Sequence, residues 1–303
     1  MKNVKSNYMN YFKNHYLYQW DKNHDVFTIT KYPLNISVEE FEFCIDQKGM
    51  DTFLKYNEPS VQIGKTLVVK QGKKKSEIKL SNEPLVMPNT QFDTEFSVDV
   101  EKIKIANKFV AKNDKKPILT GVNVANGYIT ATDSFFAYRT ACECNCNVTI
   151  ADKFINALKD IQGVATFKAN KNAVCCQTED TAIIGRLLDG QYPSLEKIYN
   201  AMANGTTCET SLEELKESLQ FANSNDDRVV FEKNKISIIG EQNFESEINI
   251  GLECKIVVNC GYLNTIINSI NNTTGNNINI NYTSEIRPLF FNSEYLLLPI
   301  REV

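Results

Sequence analysis

The side chains with the most chemical potential in this chain of 303 residues are its nine cysteines. Cys142, Cys144 and Cys146 alternate with other residues in the sequence CECNC. On a β-strand this period of two would direct all three sulfurs to one face, where they could bind a metal ion or act as a redox site. The spacing differs from the CxxC pairs of zinc knuckles, and small residues on an ordinary strand explain it more simply. We therefore expect no metal ion and no other cofactor.

Other patterns that support catalysis are missing from the sequence. Only two histidines occur, His15 and His24, and both lie near the N-terminal end. The adjacent Cys175 and Cys176 are poor partners for each other. The sequence contains no glycine-rich phosphate-binding loop and no nucleophile elbow.

The composition is typical of a globular protein, because a hydrophobic fraction of 42% supplies material for extensive cores. The cysteine count is odd and no apolar run follows Lys2 and Lys5, so we expect reduced thiols, no signal peptide, no membrane span and a cytoplasmic location. The formal net charge of -4 argues against a protein that binds nucleic acid through overall basicity. Any phosphate contact must come from local clusters of lysines.

Two helical patterns recur along the chain. Residues 99–112 (DVEKIKIANKFVAK) place apolar side chains on one helical face, and residues 211–223 (SLEELKESLQFAN) repeat that spacing. A second predicted helix, residues 150–162, is matched by residues 260–270 (CGYLNTIINSI). The interval from Ile103 to Leu212 equals the interval from Phe154 to Leu263. This common displacement predicts an internal repeat of domain size, in which each copy runs helix, strands, helix, strands.

A third copy is expected at the beginning of the chain. The sequence SVEEFEFCIDQKG, with Phe41 and Ile45 as its apolar positions, resembles the second helix of the other copies and is followed by predicted strands. The counterpart of the first helix would precede the start of the chain, so the first copy must be shortened. The sequence therefore predicts an α+β fold of three tandem domains. Their predicted bounds are 1–93, 94–197 and 198–303.

Three segments resemble the bacterial β sliding clamp family, the processivity subunit of DNA polymerase III. They are PILTGVNVANGYITATDSFFAYRT (117–140), GRLLDGQYPSLEKI (185–198) and YLLLPIREV (295–303). The resemblance implies a ring of two chains that encircles duplex DNA, with helices on the inner face and sheets outside. It also implies a protein without catalytic activity that holds a polymerase on its template.

The resemblance implies that helices 99–112 and 150–162 line the pore and contact DNA without sequence preference. The lysines on these helices and on the loop after the first one are the implied contacts: Lys102, Lys104, Lys108, Lys112, Lys115, Lys116, Lys153 and Lys159. The plain alternative is that these lysines form ordinary solvated helix faces.

In the family, the turn after Ala-Thr-Asp and the C-terminal strand border a pocket for linear peptides of polymerases and clamp loaders. The implied pocket residues are Leu119, Thr132, Ser134, Phe135, Phe136, Ala137, Asn259, Tyr262, Ile286, Pro288, Leu296, Leu297, Leu298, Pro299, Ile300 and Arg301. The sequence DSFFA stands where the family has a glycine and an arginine, and Arg139 could supply the missing cation. Phe135 and Phe136 could instead be core aromatics. We expect Leu297→Asp to abolish polymerase stimulation while leaving the fold largely intact.

The resemblance also implies a dimer interface between the first domain of one chain and the third domain of its partner. The residues that would meet there are Lys73, Lys74, Lys75, Ile78, Leu80, Phe221, Glu241, Glu245 and Glu247. Basic and acidic strand edges of this kind would steer the pairing. A second possible function is that of a scaffold, or of a competitor for clamp-binding peptides, that does not encircle DNA. A monomer in solution would favour this alternative.

Overall fold

The computed structural model describes residues 8–21, 23–34, 36, 40–112, 115–270 and 276–301. The chain forms two compact units. The first comprises Met1–Glu101 and Cys144–Asp189, and the second comprises Lys102–Glu143 and Gly190–Val303. The predicted domain bounds at 93/94 and 197/198 remain predictions, because each unit combines strands from neighbouring segments of the chain.

In the first segment of the chain, the residues that the structure describes form seven strands and one helix. In order they are β1 (Tyr8–Lys13), β2 (Tyr16–Asp21), β3 (Val26–Lys31), β4 (Glu42–Asp46), α1 (Gln47–Phe53), β5 (Ser60–Ile63), β6 (Thr66–Gln71) and β7 (Lys74–Lys79). The predicted helix over SVEEFEFCIDQKG is wrong, because Glu42–Asp46 form strand β4 and the helix begins only at Gln47. Residues 37–39 of this sequence lie outside the described residues. The Asp46 side chain caps that helix by accepting a hydrogen bond from the Gly49 amide.

The second segment contains eight strands and three helices. They are β8 (Thr94–Asp99), α2 (Val100–Ala106), β9 (Gly121–Ala125), β10 (Tyr128–Thr132), β11 (Phe136–Ala141), β12 (Asn147–Ala151), α3 (Asp152–Ala157), β13 (Val164–Ala169), β14 (Ala173–Gln177), β15 (Thr181–Arg186) and α4 (Glu196–Ala201). Short 3-10 helices cover Asn107–Phe109, Pro117–Thr120 and Met202–Asn204. Both predicted helices are real but shorter than predicted, since α2 ends at Ala106 and α3 ends at Ala157.

Eight strands and two helices lie in the described residues of the third segment. They are β16 (Thr206–Ser211), α5 (Leu212–Leu219), β17 (Arg228–Glu232), β18 (Lys235–Ile239), β19 (Phe244–Glu247), β20 (Ile256–Asn259), α6 (Cys260–Ile267), β21 (Asn277–Tyr282), β22 (Leu289–Phe291) and β23 (Tyr295–Leu297). Ser211 and Asn259 cap the two helices by accepting amide hydrogen bonds from Glu214 and Tyr262.

The three segments share one order of elements, which confirms the predicted α+β repeat. The segments β8 to β15 and β16 to β23 both run strand, helix, four strands, helix, three strands. The described residues of the first segment follow the same order from its four consecutive strands onward, without counterparts of β8 and α2. The equal intervals between the two predicted helix pairs, from which the repeat was predicted, are coincidental. The first helices begin at Val100 and Leu212 and the second helices at Asp152 and Cys260, so the two helix pairs are separated by unequal intervals.

The first unit is built on an antiparallel sheet of eight strands in the order β4-β1-β2-β3-β15-β14-β13-β8. A separate three-stranded sheet has the order β5-β6-β7. Aromatic side chains fill much of the core of the first unit, where Phe12 stacks on Phe43 and also contacts Phe53. Phe154 of α3 occupies the space above Gly185, where a Cβ atom would lie 2.6 Å from the Phe154 ring.

The second unit contains the continuous strand order β9-β10-β11-β23-β22-β21-β16 and the four-stranded sheet β19-β18-β17-β20. Helices α5 and α6 pack on each other and bury Leu215 and Leu263.

Both units therefore contain the same kind of strand junction. The third of the four consecutive strands in one copy, β3 or β11, pairs antiparallel with the last strand of the next copy, β15 or β23. In the third copy the strand equivalent to β3 and β11 is β19, and in the first copy the strand equivalent to β15 and β23 is β7. Each of these two strands lies at the end of its sheet.

Candidate functional site

A tight turn follows β10, at the site that the sequence resemblance indicates. The Thr132 hydroxyl donates to the Phe136 carbonyl at 2.7 Å and accepts from the Ser134 amide at 3.0 Å. The Asp133 carboxylate accepts from the amides of Phe135 and Phe136. Ser134 has a φ of 84°, in the left-handed region that favours glycine. The glycine that the resemblance implies at this position would adopt this φ without strain.

The two adjacent phenylalanines have different roles. Phe136 is buried against Phe109, whereas Phe135 is 58% exposed. Both rings stack on Tyr262 of α6, with centroids 4.5 Å away for Phe136 and 6.0 Å away for Phe135. Burial, together with the charge and hydrogen bond of Asp133, raises the pKa of Tyr262 to about 12. The interpretation as core aromatics is therefore correct for Phe136 and wrong for Phe135, which presents an aromatic surface beside the turn.

Tyr192, from the GQYP segment, holds the same turn from a second side. Its hydroxyl oxygen accepts a hydrogen bond from the Thr132 amide at 3.0 Å. Burial raises the pKa of Tyr192 above the ordinary range of a phenol. The motif was recognised in the sequence, but its contact with Thr132 could not be inferred from it.

The last strand, β23, pairs with β11 so that Leu296 lies opposite Ala137 and Leu297 lies opposite Phe136. On one face of this junction, Ala137, Leu296, Phe290 and Tyr199 form a buried cluster. The half-buried side chains that pack against it are Leu195, Met202 and Leu298. We call this group of seven residues the junction cluster.

Three members of the junction cluster, Leu195, Tyr199 and Met202, were not predicted as site residues. They come from α4 and the 3-10 helix after it. Their spacing of four and three residues is the pattern of one helical face, which could have identified them. The Tyr199 hydroxyl donates to the Glu294 carbonyl at 2.8 Å, which fixes this helix on the sheet.

A surface cavity of about 410 Å³ lies beside the end of the chain. It is lined by three predicted pocket residues, Ile286, Ile300 and Arg301, and by Lys255, Val257 and Glu285. The Ile300 amide donates to the Val257 carbonyl at 2.7 Å, which holds the chain end in place. The cavity combines apolar walls with charges of both signs.

The predicted pocket residues differ in their accessibility. The buried ones are Leu119, Thr132, Phe136, Ala137, Leu296 and Leu297. The half-buried ones are Asn259, Tyr262, Pro288, Leu298, Pro299 and Ile300. The exposed ones are Ser134, Phe135, Ile286 and Arg301. The expectation that Leu297→Asp leaves the fold intact is wrong, because this side chain is 0% exposed and belongs to the core.

Arg139 has aromatic contacts of its own. Its guanidinium lies 3.7 Å from the centroid of the Tyr128 ring and 5.3 Å from that of Tyr199. Such cation–π contacts hold the cation against the sheet. Arg139 therefore stabilises the helix that carries the junction cluster.

Six of the predicted DNA-binding lysines lie in the second unit, on and after α2. We call residues 102–116 the lysine segment. Lys102 and Lys104 are half-buried, and the Lys102 ammonium donates to the Ala141 carbonyl at 3.0 Å. The other four, Lys108, Lys112, Lys115 and Lys116, are exposed.

The remaining two predicted DNA-binding lysines, Lys153 and Lys159, lie in the first unit and are exposed. The Lys153 ammonium lies 2.5 Å from the Asp25 carboxylate and 3.6 Å from that of Asp21. The hydrogen bond to Asp25 raises the pKa of Lys153. Because two carboxylates already compensate its charge, Lys153 is a weaker candidate for phosphate binding than the lysine segment.

The residues of the predicted dimer interface lie on two strand edges. Lys73, Lys74 and Lys75 are exposed on and beside β7, but Ile78 is buried in the core and half-buried Leu80 packs against it. Ile78 is therefore a core residue, and its side chain cannot form the interface.

The other predicted edge belongs to the second unit. Glu241, Glu245 and Glu247 are exposed on and before β19. Phe221 is 56% exposed and stacks on Phe244 of β19, with ring centroids 4.1 Å apart. This edge therefore combines acidic side chains with an aromatic pair.

The cysteine cluster lies between strands, so the predicted strand is wrong. β11 ends at Ala141 and β12 begins at Asn147. No group of three or more His, Cys, Asp or Glu side chains in the described part of the chain is arranged to hold a metal ion. Burial and the neighbouring Cys144 raise the pKa of Cys146 to about 12, so its thiol stays protonated near neutral pH.

This raised pKa predicts that Cys146 reacts slowly with alkylating agents. At pH 8, a thiol with a pKa near 12 has a thiolate fraction roughly three orders of magnitude below that of an ordinary cysteine. We expect iodoacetamide to label Cys146 far more slowly in the native chain than in urea. Peptide mapping by mass spectrometry measures both rates, and equal rates would contradict the prediction.

Among the described residues, no helix combines the length and the hydropathy needed to cross a membrane. Comparison of the whole fold with solved structures defines its class. The chain has the fold of the DNA polymerase III β subunits, the sliding clamps, with TM-scores from 0.78 to 0.82. The resemblance that the sequence motifs indicated is thus confirmed at the level of the fold.

Three solved structures illustrate the similarity. The β subunit of Thermotoga maritima is 17% identical, with a TM-score of 0.79, and the alignment covers 100% of this chain and 93% of that one. The sliding clamp of Bartonella birtlesii, bound to griselimycin, is 14% identical, with a TM-score of 0.82 and coverage of 100% and 94%. The β clamp of Helicobacter pylori, bound to a DNA ligase peptide, is 16% identical, with a TM-score of 0.80 and coverage of 99% and 92%. No protein-family model and no curated protein matches the sequence.

Proposed function

We propose that this chain is a DNA sliding clamp, which acts as a processivity factor by encircling duplex DNA as a ring of two chains. The observation that carries this proposal is the repeated strand junction. Within the chain, β3 pairs with β15 and β11 pairs with β23, whereas the equivalent strands β19 and β7 each end a sheet. Pairing of β19 with β7 of a second copy completes the series, and two such head-to-tail contacts close a ring.

The charges on these two edges support this pairing. Exposed lysines lie on and beside β7, and exposed glutamates lie on and beside β19. Opposite charges favour association of one edge with the other and oppose pairing of either edge with itself. The joint sheet would contain four strands from one chain and three from its partner, since β5-β6-β7 lacks the additional strand of the other copies.

In this proposal the lysine segment contacts the DNA backbone, and the junction cluster with its turn binds linear peptides of a polymerase and a clamp loader. A few lysines are enough because topology, rather than affinity, holds the ring on DNA. The exposed Phe135, its stacking partner Tyr262 and the apolar junction cluster provide surfaces for bulky side chains of a peptide. The Helicobacter pylori clamp bound to a DNA ligase peptide supports a peptide site on this fold.

Retention on circular DNA tests the proposed function. After loading onto nicked circular duplex DNA with a bacterial clamp loader, the protein should stay bound during gel filtration and leave when the circle is linearised. Equal loss from circular and linear DNA would contradict encirclement. A monomer that binds peptides and shows no topological retention would instead identify the scaffold or competitor function.

Charge reversal at β7 tests the ring interface. We expect Lys73→Glu with Lys74→Glu to weaken dimerisation by about tenfold, because exposed like-charge contacts cost up to about 1 kcal/mol each. Sedimentation equilibrium across a range of concentrations measures the effect, with the unmodified chain expected at twice its mass of 34.4 kDa. As a matched control, adding Glu241→Lys and Glu247→Lys to the same chain should restore the dimer. Unchanged association in the first variant would show that this edge is not the interface.

A further inference from the structure

The first unit contains a larger cavity, of about 810 Å³, that belongs to none of the surfaces described above. Its floor includes Phe27 and Ile184, two apolar side chains of the β3–β15 junction. One wall is the extended segment before β8, where Val86 and Met87 are 59% and 47% exposed. Exposed apolar side chains on the wall of a large cavity are typical of a binding site.

The cavity lies on a junction that repeats the geometry of the peptide pocket. Phe27 pairs with Ile184 across β3 and β15, as Ala137 pairs with Leu296 across β11 and β23. Both pairs belong to buried clusters on their sheets. The floor of the cavity thus corresponds, strand for strand, to the floor of the proposed peptide pocket.

The backbone hydrogen bonds beyond each junction also correspond. The Arg186 amide donates to the Asp25 carbonyl at 3.1 Å, and the Leu298 amide donates to the Phe135 carbonyl at 2.9 Å. Arg186 therefore has the position of Leu298, and Asp25 has that of Phe135.

The turns that lead into β3 and β11 are held in the same way. The Asp21 carboxylate accepts from the amides of Asp25 and Val26. The Asp133 carboxylate accepts from those of Phe135 and Phe136, so each carboxylate binds the residue before its strand and the first residue of that strand. His24 has a φ of 53°, in the same left-handed region as Ser134.

The walls correspond as well. In the second unit, α4 packs its apolar face on the junction cluster. In the first unit, half-buried Leu85 and Phe92 of the extended segment pack on the equivalent cluster, which includes the only tryptophan, Trp20. Because this segment is extended where its counterpart is helical, Val86 and Met87 between these two anchors stay accessible.

The charges around the cavity indicate the chemistry of its ligand. Arg186 and Lys171 line the cavity and are exposed, and Asp93 is an exposed carboxylate in the same lining. The second carboxylate there, Asp25, is already bound to Lys153. Two exposed cations, Arg186 and Lys171, therefore lie beside the apolar floor, which suits a ligand that carries both carboxylates and bulky apolar side chains.

From this correspondence we propose that the cavity of the first unit is a second peptide-binding pocket, specific for acidic linear segments with a bulky apolar side chain. The correspondence between the two junctions supports this inference only if the second unit binds peptides as proposed. The cavity and its charges are independent of that proposal. The pockets differ where Asp25 and Lys153 replace the aromatic pair of Phe135 and Tyr262. The first pocket therefore depends more on charge, and its affinity falls more steeply with salt.

Two methionines allow both pockets to be observed in one experiment, since Met87 lies in the cavity and Met202 in the junction cluster. The probe is the hexapeptide acetyl-Glu-Asp-Leu-Phe-Asp-Gly-amide, titrated into the full chain labelled with ¹³C at the methionine methyl groups. We expect saturable shifts of both methyl resonances, which Met→Leu variants assign. Trp20 provides a second readout, because it stacks on His24 and Phe27 with centroids 6.2 Å and 5.9 Å away, and the probe contains no tryptophan.

Matched variants separate the two pockets. The double change Arg186→Glu with Lys171→Glu should weaken the Met87 response by about tenfold or more and leave the Met202 response unchanged, whereas Phe135→Asp should do the reverse. All three positions are exposed, and thermal unfolding confirms that each variant is folded.

The possible outcomes distinguish this inference from the proposed function. A Met202 response alone, or a Met87 response that the double variant does not weaken, overturns the second pocket and leaves the first proposal intact. A Met87 response alone supports the second pocket and counts against peptide binding at the junction cluster. The absence of both responses overturns the second pocket, while retention on circular DNA still decides whether the chain is a ring.

Discussion

Leu297→Asp is expected to unfold the second unit of the chain. Leu297 is fully buried in β23, between β11 and β22, where it pairs with Phe136 and Leu289. An ionised carboxylate at this position would have no partner, and such a substitution lowers the free energy of unfolding by about 4 kcal/mol or more. That loss is comparable with the total stability of many domains, about 5–15 kcal/mol. Urea denaturation followed by circular dichroism measures it.

Phe135→Asp is the matched control, because it places the same side chain in the same pocket at an exposed position. We expect it to change the free energy of unfolding by less than about 1 kcal/mol, since substitutions at exposed positions seldom cost more. It should nevertheless abolish the shift of the Met202 methyl resonance on addition of a Leu/Phe-bearing peptide, measured by NMR on the ¹³C-labelled chain. If Leu297→Asp unfolded at the same urea concentration as the unmodified chain, the burial of β23 would be wrong. If Phe135→Asp bound the peptide normally, the turn would not be part of the pocket.

Replacing three exposed lysines of the lysine segment with glutamate is expected to remove most of the affinity for DNA. The change is Lys108→Glu, Lys112→Glu and Lys115→Glu, which avoids the hydrogen-bonded Lys102. Each phosphate contact that is lost lowers the slope of log affinity against log salt by about 1, so the slope should fall by about 3 and the affinity by about tenfold or more. Fluorescence anisotropy with a short duplex at several salt concentrations measures both quantities.

A charge-matched control separates this effect from the change in net charge. Lys55, Lys65 and Lys233 are exposed and lie outside the lysine segment. Their replacement by glutamate alters the net charge by the same amount and should leave the salt slope unchanged. If the two triple variants weakened binding equally, the lysine segment would have no special role, and the alternative of an ordinary solvated helix face would be correct.

The repeat could be predicted from the sequence because its apolar positions face the core. Ile103 and Leu215 are fully buried, and substitutions there are limited by packing. The register of the first helix pair was nevertheless wrong. Because these helices begin at Val100 and Leu212, Ile103 corresponds to Leu215 rather than to Leu212. Leu212 and Leu215 lie on the same helical face, so periodicity alone cannot distinguish them.

The elements that could not be predicted are those whose structure depends on packing against residues from distant parts of the chain. Phe43, Cys44 and Ile45 in β4 are all buried, and a short apolar run buried on both faces has the same appearance in a sequence as a helix segment. The CECNC sequence has the period of a strand but forms a loop, since no strand lies between Ala141 and Asn147. The cavity of the first unit could not be predicted either, because residues from four separate parts of the chain line it.

The edge strands β7 and β19 also have a consequence for the newly made chain. Before assembly, the aromatic pair of Phe221 and Phe244 lies beside an edge strand, and such edges are templates for aggregation. The glutamates beside this pair and the lysines of β7 act as gatekeepers that delay self-association. In the proposed ring both edges would be paired, so we expect the unpaired chain to be more exposed to proteases and chaperones than the dimer.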